Sequence, residues 1–310
     1  MLQTDLSRSC VHIAKLLPAA SAVGLPIRGN MARVIAVANQ KGGVGKTTTS
    51  INLAASLAAA DVPTLLIDCD PQSNSSSGVG VPRDPTRLST YHLLMGEVSA
   101  AELLQPTALD NLWVIPATKN LIGANIELVG VESREFRLRN AISSVRERFD
   151  YIVLDCPPAL DLLTLNALVA ADSVLIPMQA EYFALEGVSE LLDTIERVRE
   201  NFNQGLVVEG VVLTMFDDRT NLAQSVTDEL KKYFGELLFD TTIPRNVRLA
   251  EAPSHGKPAL LYDPKSRGAE CYIRLAKEVL DRQGSNSGAP PMEVASDQAN
   301  NEPLSTSSEV

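Results

Sequence analysis

A glycine-rich stretch near residue 40 has the composition of a phosphate-binding loop. It reads NQKGGVGKTTTS (39–50) and lies between an apolar segment typical of a strand and a segment typical of a helix. Because glycine has no Cβ, such a backbone can curl round an anion with its N–H groups facing the phosphates. The lysine that follows reaches the β- and γ-phosphates, and the next hydroxyl binds Mg²⁺. The residues predicted to do this are Gly42, Gly43, Gly45, Lys46 and Thr47.

The loop departs from the usual G-x-x-x-x-G-K-[ST] pattern at its first position. Gln40 replaces the first glycine, and an additional lysine, Lys41, comes directly after it. A second positive charge so close to a phosphate site raises the question of which phosphate it contacts.

Two acidic strand ends supply the other groups that phosphoryl transfer needs, one to hold the metal and one to position the attacking water. YIVLDCPP (151–158) places Asp155 at the end of an apolar strand, where a carboxylate can hold Mg²⁺ directly or through water. TLLIDCDPQSN (64–74) supplies Asp68 at a strand end and Asp70 two residues later. Such carboxylates also cap turns, an alternative that stays open for Asp68. Asp70 and Asp155 are predicted to act on the nucleotide and its metal.

The rest of the sequence predicts the elements that position these groups. Short apolar strands alternate with segments that have helical spacing, the pattern of βαβ units in an α/β fold with a mostly parallel central sheet flanked by helices. The predicted strands are 33–38, 64–68, 111–117, 151–155, 172–178 and 207–216. The predicted helices are 46–60, 134–149, 185–202, 222–235 and 268–283.

Length and composition favour one large soluble domain. The chain has 310 residues, of which 45% are hydrophobic, enough to bury one sizeable core. No apolar run approaches the roughly 18 residues that a membrane span needs. The four cysteines lie far apart without metal-binding spacing, which argues against structural zinc and fits a reducing compartment.

The net charge of −11 argues against nucleic-acid binding by the chain as a whole, since phosphate contact needs a positive surface. The charge is unevenly distributed. In residues 245–267 basic residues outnumber Glu251 and Asp263, which makes a local basic surface possible. These basic residues are Arg245, Arg248, Lys257, Lys265 and Arg267.

Four segments together resemble the ParA/Soj chromosome- and plasmid-partitioning ATPases, within the MinD-like group of deviant Walker A P-loop NTPases. They are KGGVGKTTTSINLA, LLIDCDPQSN, YIVLDCPP and IPRNVRLAEAPSHGKP. The loop alone specifies only the superfamily, whereas the DPQ segment and the last stretch indicate the ParA/Soj branch. The resemblance covers about Met31 to Gln283 and implies ATP and Mg²⁺ as ligands.

The resemblance also gives the additional lysine a role. In this family the equivalent of Lys41 crosses a two-fold interface and contacts the phosphates bound by the other subunit. Asp70 would then position the hydrolytic water, and Val44 and Thr48 would complete the phosphate loop.

Less specific contacts also follow from the resemblance. Met215 and Pro244 match positions near the adenine, with ordinary core and turn residues as the alternative. Arg219 and Arg248 match positions used for sequence-independent DNA binding, with solvated surface arginines as the alternative.

The function implied is an ATP switch that forms a homodimer with ATP, binds non-specific DNA and responds to a ParB-type centromere-binding partner. It would be cytoplasmic, nucleoid-associated and without membrane contact. Two other functions are alternatives to this switch. A MinD-like membrane switch would end in a basic amphipathic helix, unlike the acidic C-terminal segment here. An enzyme like the nitrogenase iron protein would need a second cysteine beside Cys156 for a cluster.

The predicted domain is therefore 31–283. Residues 1–30 are expected to be disordered or to precede the true start at Met31, although a targeting peptide or an ordered addition stays possible. Residues 284–310 are rich in Ser, Pro, Asn and Glu and are expected to form a disordered acidic tail.

Overall fold

A computed structural model describes residues 31–181, 184–217, 219 and 221–285. Within these residues seven strands form one sheet, in the order β3-β4-β2-β5-β1-β6-β7. Neighbouring strands are parallel except β3 and β4, which are antiparallel. The strands are β1 (Arg33–Val37), β2 (Thr64–Asp68), β3 (Gln105–Pro106), β4 (Leu112–Ile115), β5 (Tyr151–Asp155), β6 (Ser173–Gln179) and β7 (Val207–Thr214).

Helices connect the strands and cover both faces of the sheet. They are α1 (Lys46–Ala59), α2 (Asn74–Gly78), α3 (Thr90–Met95), α4 (Ala100–Leu103), α5 (Leu121–Glu127), α6 (Arg137–Ile142), α7 (Leu162–Ala170), α8 (Ala184–Asn201), α9 (Asn221–Phe234), α10 (Val247–Glu251), α11 (Ala259–Tyr262) and α12 (Arg267–Ser285). Short 3₁₀ turns lie at Arg134–Phe136, Ser143–Arg148, Gly235–Leu237 and Ala252–His255.

The sheet is buried on both faces, which explains why its strands read as continuous apolar runs. Successive residues of β1 alternate between two hydrophobic clusters: Val34 and Ala36 belong to one, Ile35 and Val37 to the other. The second cluster also contains apolar residues of α1 and α12. Both layers of helices therefore stabilise the sheet from which the acidic strand ends project.

The six predicted strands are confirmed with small changes of bounds. Strand β1 ends one residue earlier than predicted, β6 is shifted by one residue, and β4 and β7 are shorter than 111–117 and 207–216. The predicted helix at 134–149 is broken into a 3₁₀ turn, α6 and a second 3₁₀ turn. Asn166 of α7 explains the first break. Its amide donates to Arg134 O (3.0 Å) and its oxygen accepts from Leu138 N (3.1 Å), so it takes both partners of one helical hydrogen bond.

The last helix, α12, ends at Ser285, two residues beyond the predicted end at Gln283. The proposed extension (1–30) and all but the first two residues of the proposed tail (284–310) lie outside the described residues. No helix in the part of the chain that the structure describes is long and apolar enough to cross a membrane.

Candidate nucleotide site

The phosphate loop and both acidic segments meet at one edge of the sheet, at the carboxyl ends of three neighbouring strands. Strand β5 lies between β1 and β2, and the pairing register places Asp155 opposite Val37 on one side and Asp68 on the other. Ligands of parallel α/β sheets bind at this edge. The register alone therefore brings Asp155 next to the strand that leads into the loop, although the two are more than 100 positions apart in sequence.

The loop adopts a backbone that requires glycine. Gly43 and Gly45 have φ angles of +75° and +86°, in the left-handed region, and Gly45 directly precedes α1. Two side chains anchor the loop. The Thr214 hydroxyl lies 2.8 Å from Val44 O, and Asn39 accepts from Lys41 N (3.0 Å) while donating to Pro177 O (2.8 Å). The loop is thus tied to β6 and β7.

Lys46 lies inside the loop. Lys46 is only 7% exposed, and its Nζ donates to the carbonyl oxygen of Lys41 at 3.0 Å. Burial lowers the pKa of Lys46, and the nearby negative charges of Asp155 and Asp70 act in the opposite direction. A buried ammonium near the helix N-terminus is suited to binding a phosphate, which would supply the compensating charge.

Asp155 has the surroundings of a metal ligand. It is fully buried, and its Oδ1 accepts from the Ser50 hydroxyl at 2.8 Å. Its Oδ2 is also buried and has no donor within hydrogen-bond geometry among the described residues. The hydroxyls of Thr47 and Ser75 are nevertheless close enough to the carboxylate to lower its pKa. Burial raises the pKa of Asp155 to about 7, with a further contribution from Asp68. An unpaired buried carboxylate oxygen is costly, and a hard cation that prefers oxygen ligands would satisfy it. Thr47, in the first turn of α1, supplies the predicted hydroxyl.

Asp70 lies in the turn after β2 and is 7% exposed. Its Oδ1 accepts from the backbone N–H of Gln72 at 2.8 Å, so the carboxylate is held by its own turn. Its negative charge acts against the lowering of the pKa of Lys46.

Asp68 is fully buried beside Asp155 and has three hydrogen-bond donors. They are Asp70 N (3.1 Å), Ser76 N (2.8 Å) and Ser76 Oγ (2.5 Å). Burial raises the pKa of Asp68 to about 6, although these donors act against the rise. The contacts agree with the alternative that Asp68 holds a turn.

Lys41 lies on the outer side of the loop. Its Nζ is 2.5 Å from Oε2 of Glu181, and the two side chains are 43% and 52% exposed. The two lysines therefore differ in environment, with Lys46 buried and Lys41 in contact with solvent. Glu181 was missed by sequence reasoning. Its only signal was an acidic residue three positions after the end of the predicted strand 172–178.

Met215 and Pro244 are brought close together beside the loop. Phe216 pairs with Pro244 in an isolated bridge. Because Met215 directly precedes Phe216, Met215 lies near Pro244. Met215 has φ of +50°, which is uncommon for a non-glycine residue and costs about 1–3 kcal/mol. Its sulfur accepts from the amide of Gln179, whose Nε2 is also 3.4 Å from Gly43 O. Gln179 was not predicted from the sequence.

Arg219 and Arg248 both contact acidic neighbours. Arg219 pairs with Asp217 through Nη2 (2.7 Å), and its hydrogen bonds lower the pKa of Asp217 to about 2. Arg248 pairs with Glu251 (2.8 Å) and Asp263 (3.2 Å). Both arginine side chains are substantially exposed. A DNA phosphate would therefore compete with carboxylates at both positions.

Comparison with known proteins identifies the family. A family model described as an AAA domain matches residues 32–208. The sporulation initiation inhibitor protein Soj of Bacillus subtilis is 55% identical over 249 residues, which cover 80% of this chain and 98% of that protein. The chromosome partitioning protein ParA of Myxococcus xanthus is 54% identical over 250 residues, covering 81% and 88% of the two chains. The chain belongs to the Soj/ParA family of chromosome-partitioning ATPases.

Solved structures confirm the P-loop fold of this Soj/ParA chain. A cobyrinic acid a,c-diamide synthase from Mycobacterium smegmatis, solved with ADP and magnesium, superposes with a TM-score of 0.72 at 34% identity and covers 85% of this chain and 100% of that chain. The cell division ATPase MinD of Pyrococcus furiosus gives 0.67 at 26% identity, with coverage of 81% and 100%. The matched family model contains the loop and both acidic segments, whereas Met215, Pro244 and the two arginines lie beyond it.

Proposed function

We propose that this Soj/ParA-type ATPase is an ATP-dependent dimerising switch that binds DNA without sequence preference and drives segregation of a chromosome or plasmid together with a ParB-type partner. The observation that carries the proposal is the contrast between two lysines of one loop. Lys46 is buried where a phosphate would lie, whereas Lys41 is half-exposed on the outer side. A second subunit can reach only the outer lysine.

The residues present fit ATP with Mg²⁺. The phosphate loop would be formed by Gly42, Gly43, Val44, Gly45, Lys46, Thr47 and Thr48. A protein of the same fold, 34% identical to this chain, was solved with ADP and magnesium, which supports the assignment of these ligands. Asp155, with its unpaired Oδ2, and the Thr47 hydroxyl would hold the metal. When bound, Mg²⁺ neutralises phosphate charge. Asp70 would orient the attacking water, and Met215 with Pro244 would contact the adenine.

The outer lysine would couple nucleotide binding to dimerisation. An ammonium added from a partner subunit to a phosphate site acts as an arginine finger does in other NTPases. Occupancy of the site and formation of the dimer then become one linked equilibrium, in which each favours the other. ATP hydrolysis, stimulated by the ParB-type partner, would return the chain to the monomer.

DNA binding is proposed through Arg219 and Arg248, which a two-fold axis would duplicate. The carboxylates beside both arginines predict weak binding by a monomer, so the dimer is expected to be the form that binds. Such binding would associate the protein with the nucleoid.

A MinD-like membrane role is the alternative function, and the structural similarity to MinD supports it. The relative from Myxococcus xanthus that is named a chromosome partitioning protein, at 54% identity, favours the first proposal.

Size-exclusion chromatography of Lys41→Ala with and without ATP tests the switch. We expect the variant to bind nucleotide as a monomer and to lose the ATP-dependent dimer peak, whereas Lys277→Ala, an exposed lysine of α12, should dimerise normally. An undiminished dimer of Lys41→Ala would make the additional lysine a surface charge.

Co-sedimentation with DNA and with anionic liposomes separates the DNA-binding switch from the MinD-like membrane switch, since a MinD-like switch would bind the liposomes.

A further inference from the structure

The buried carboxylate of Asp68 has no assigned role in the proposed reaction, yet it closes the turn that carries Asp70. Its Oδ1 accepts from the N–H of Asp70 at 3.1 Å. Its Oδ2 accepts from Ser76 through both the backbone N–H (2.8 Å) and the hydroxyl (2.5 Å). One side chain thus fixes the start of the turn and the first turn of α2.

The same cluster connects the turn to the rest of the sheet edge. The Ser76 hydroxyl oxygen accepts from Ala117 N, just after β4, at 3.0 Å. The Thr90 hydroxyl donates to the carbonyl of Asp68 at 2.7 Å. Asp68 itself lies opposite Asp155 in the register of β2 and β5. The position of the Asp70 backbone is therefore set relative to the residue proposed to hold the metal.

We propose that Asp68 is a positioning residue for hydrolysis, which fixes the Asp70 backbone so that the Asp70 carboxylate faces the attacking water. The inference rests on the proposed water-handling role of Asp70. It differs from a purely structural role because it acts on turnover and not on nucleotide binding, to which Asp68 contributes no contact in the proposed site.

Only a carboxylate satisfies both ends of the turn. All three donors point at Asp68, and both of its oxygens accept. An asparagine has one oxygen and one NH₂ group, so in either orientation an N–H donor meets another donor. Asp68→Asn has nearly the same volume and removes one anchor of the turn, which allows Asp70 to shift.

The test is a comparison of kcat with nucleotide affinity and dimerisation in Asp68→Asn. We expect kcat for ATP hydrolysis to fall about 100-fold, the scale that a misplacement of about 1 Å can cost, with ATP affinity and the ATP-dependent dimer retained.

Glu209→Gln is the matched control. Glu209 is also a buried carboxylate, 6% exposed, and accepts from the Ser173 hydroxyl (2.6 Å) and from Arg33, but it lies at the opposite end of the strands. It should lower stability and leave kcat unchanged. If Asp68→Asn does not fold, Ser76→Ala removes the hydroxyl that donates to Asp68 and accepts from Ala117 N but keeps the other two donors to Asp68. It should give a smaller loss of kcat in the same direction.

The outcomes separate this inference from the proposed function. If Asp70→Ala abolishes turnover while the Asp68 and Ser76 variants have normal kcat, only the positioning role is wrong. A parallel loss of ATP affinity would also overturn it in favour of a structural role. If Asp70→Ala itself turns over normally, the proposed role of Asp70 fails first.

Discussion

The ion pair between Lys41 and Glu181 should oppose dimerisation, because the proposed contact in trans needs the same ammonium group. Its two atoms are 2.5 Å apart within one protomer. Glu181→Gln keeps the size of the side chain and removes its charge. We therefore expect a tighter ATP-dependent dimer from this variant, the opposite of the effect of Lys41→Ala.

The expected magnitude follows from the exposure of the pair. The side chains of Lys41 and Glu181 are 43% and 52% exposed, so water and salt screen the attraction. Exposed pairs contribute about 0.2–1 kcal/mol each. A dimer breaks two such pairs, or roughly 0.4–2 kcal/mol, which corresponds to a dimer Kd about 2- to 30-fold lower for Glu181→Gln. The difference should shrink as salt is raised.

Sedimentation velocity over a concentration series, with a non-hydrolysable ATP analogue, measures this Kd directly. Glu196→Gln serves as the control, because Glu196 forms a comparable exposed pair with Arg199 on α8 (2.9 Å). An unchanged Kd for Glu181→Gln at low salt would show that the cis pair does not compete with dimerisation. A weaker dimer would place Glu181 in the interface itself and refute the reasoning.

Further expectations concern the remaining site residues. Lys46→Ala should abolish nucleotide binding in titration calorimetry, since it removes the charge paired with the β- and γ-phosphates. Asp70→Ala should bind ATP and accumulate as a dimer that does not turn over; a monomer on size-exclusion chromatography with ATP would contradict its assignment. Replacing both Arg219 and Arg248 by alanine should preserve the ATP dimer. It should make the negative slope of log K for DNA binding against log salt shallower by roughly 2 to 4 units, at about 0.9 per lost phosphate contact. Fluorescence anisotropy with two unrelated duplexes measures the slope, and unchanged affinity and slope would place the DNA surface elsewhere.

The fold was predictable where a segment's own pattern determines its structure. The central strands are buried on both faces, so their apolar runs identify them without reference to their neighbours. The prediction of one helix over 134–149 was wrong. Asn166, a distant residue, hydrogen-bonds both the donor and the acceptor of one backbone hydrogen bond that this helix would need. The two-residue strand β3 is too short to produce a pattern.

The site residues were likewise predictable only where the local sequence determines their position. Glycine spacing gives the loop, because left-handed backbone at Gly43 and Gly45 is a local requirement. Glu181 and Gln179 were not found, since only the adjacency of β6 and β1 brings them to the loop. For Asp68 the strand-end position was visible but its three donors were not, as Ser76 is eight positions away.

The buried pair Asp68 and Asp155 predicts how stability depends on pH. An unburied carboxyl ionises near pH 4, whereas burial raises the pKa to about 6 for Asp68 and about 7 for Asp155. Between these pH values the folded protein binds more protons than the unfolded chain. The free energy of unfolding contributed by this pair therefore falls as pH rises from about 4 to about 7 and is level above that.

Urea unfolding of the nucleotide-free protein at pH 5, 6, 7 and 8 tests this sign, with Asp155→Asn as the comparison. The variant lacks the group with the higher pKa, so its stability should fall less between pH 5 and pH 8. Mg²⁺ favours the ionised carboxylate, so binding of Mg²⁺ and ATP near pH 6 should release a proton from Asp155. Calorimetry in two buffers of different ionisation enthalpy measures that release. Wild-type and Asp155→Asn curves with the same pH dependence, together with no difference in proton release between them, would show that Asp155 is already ionised in the free protein and would refute the raised pKa.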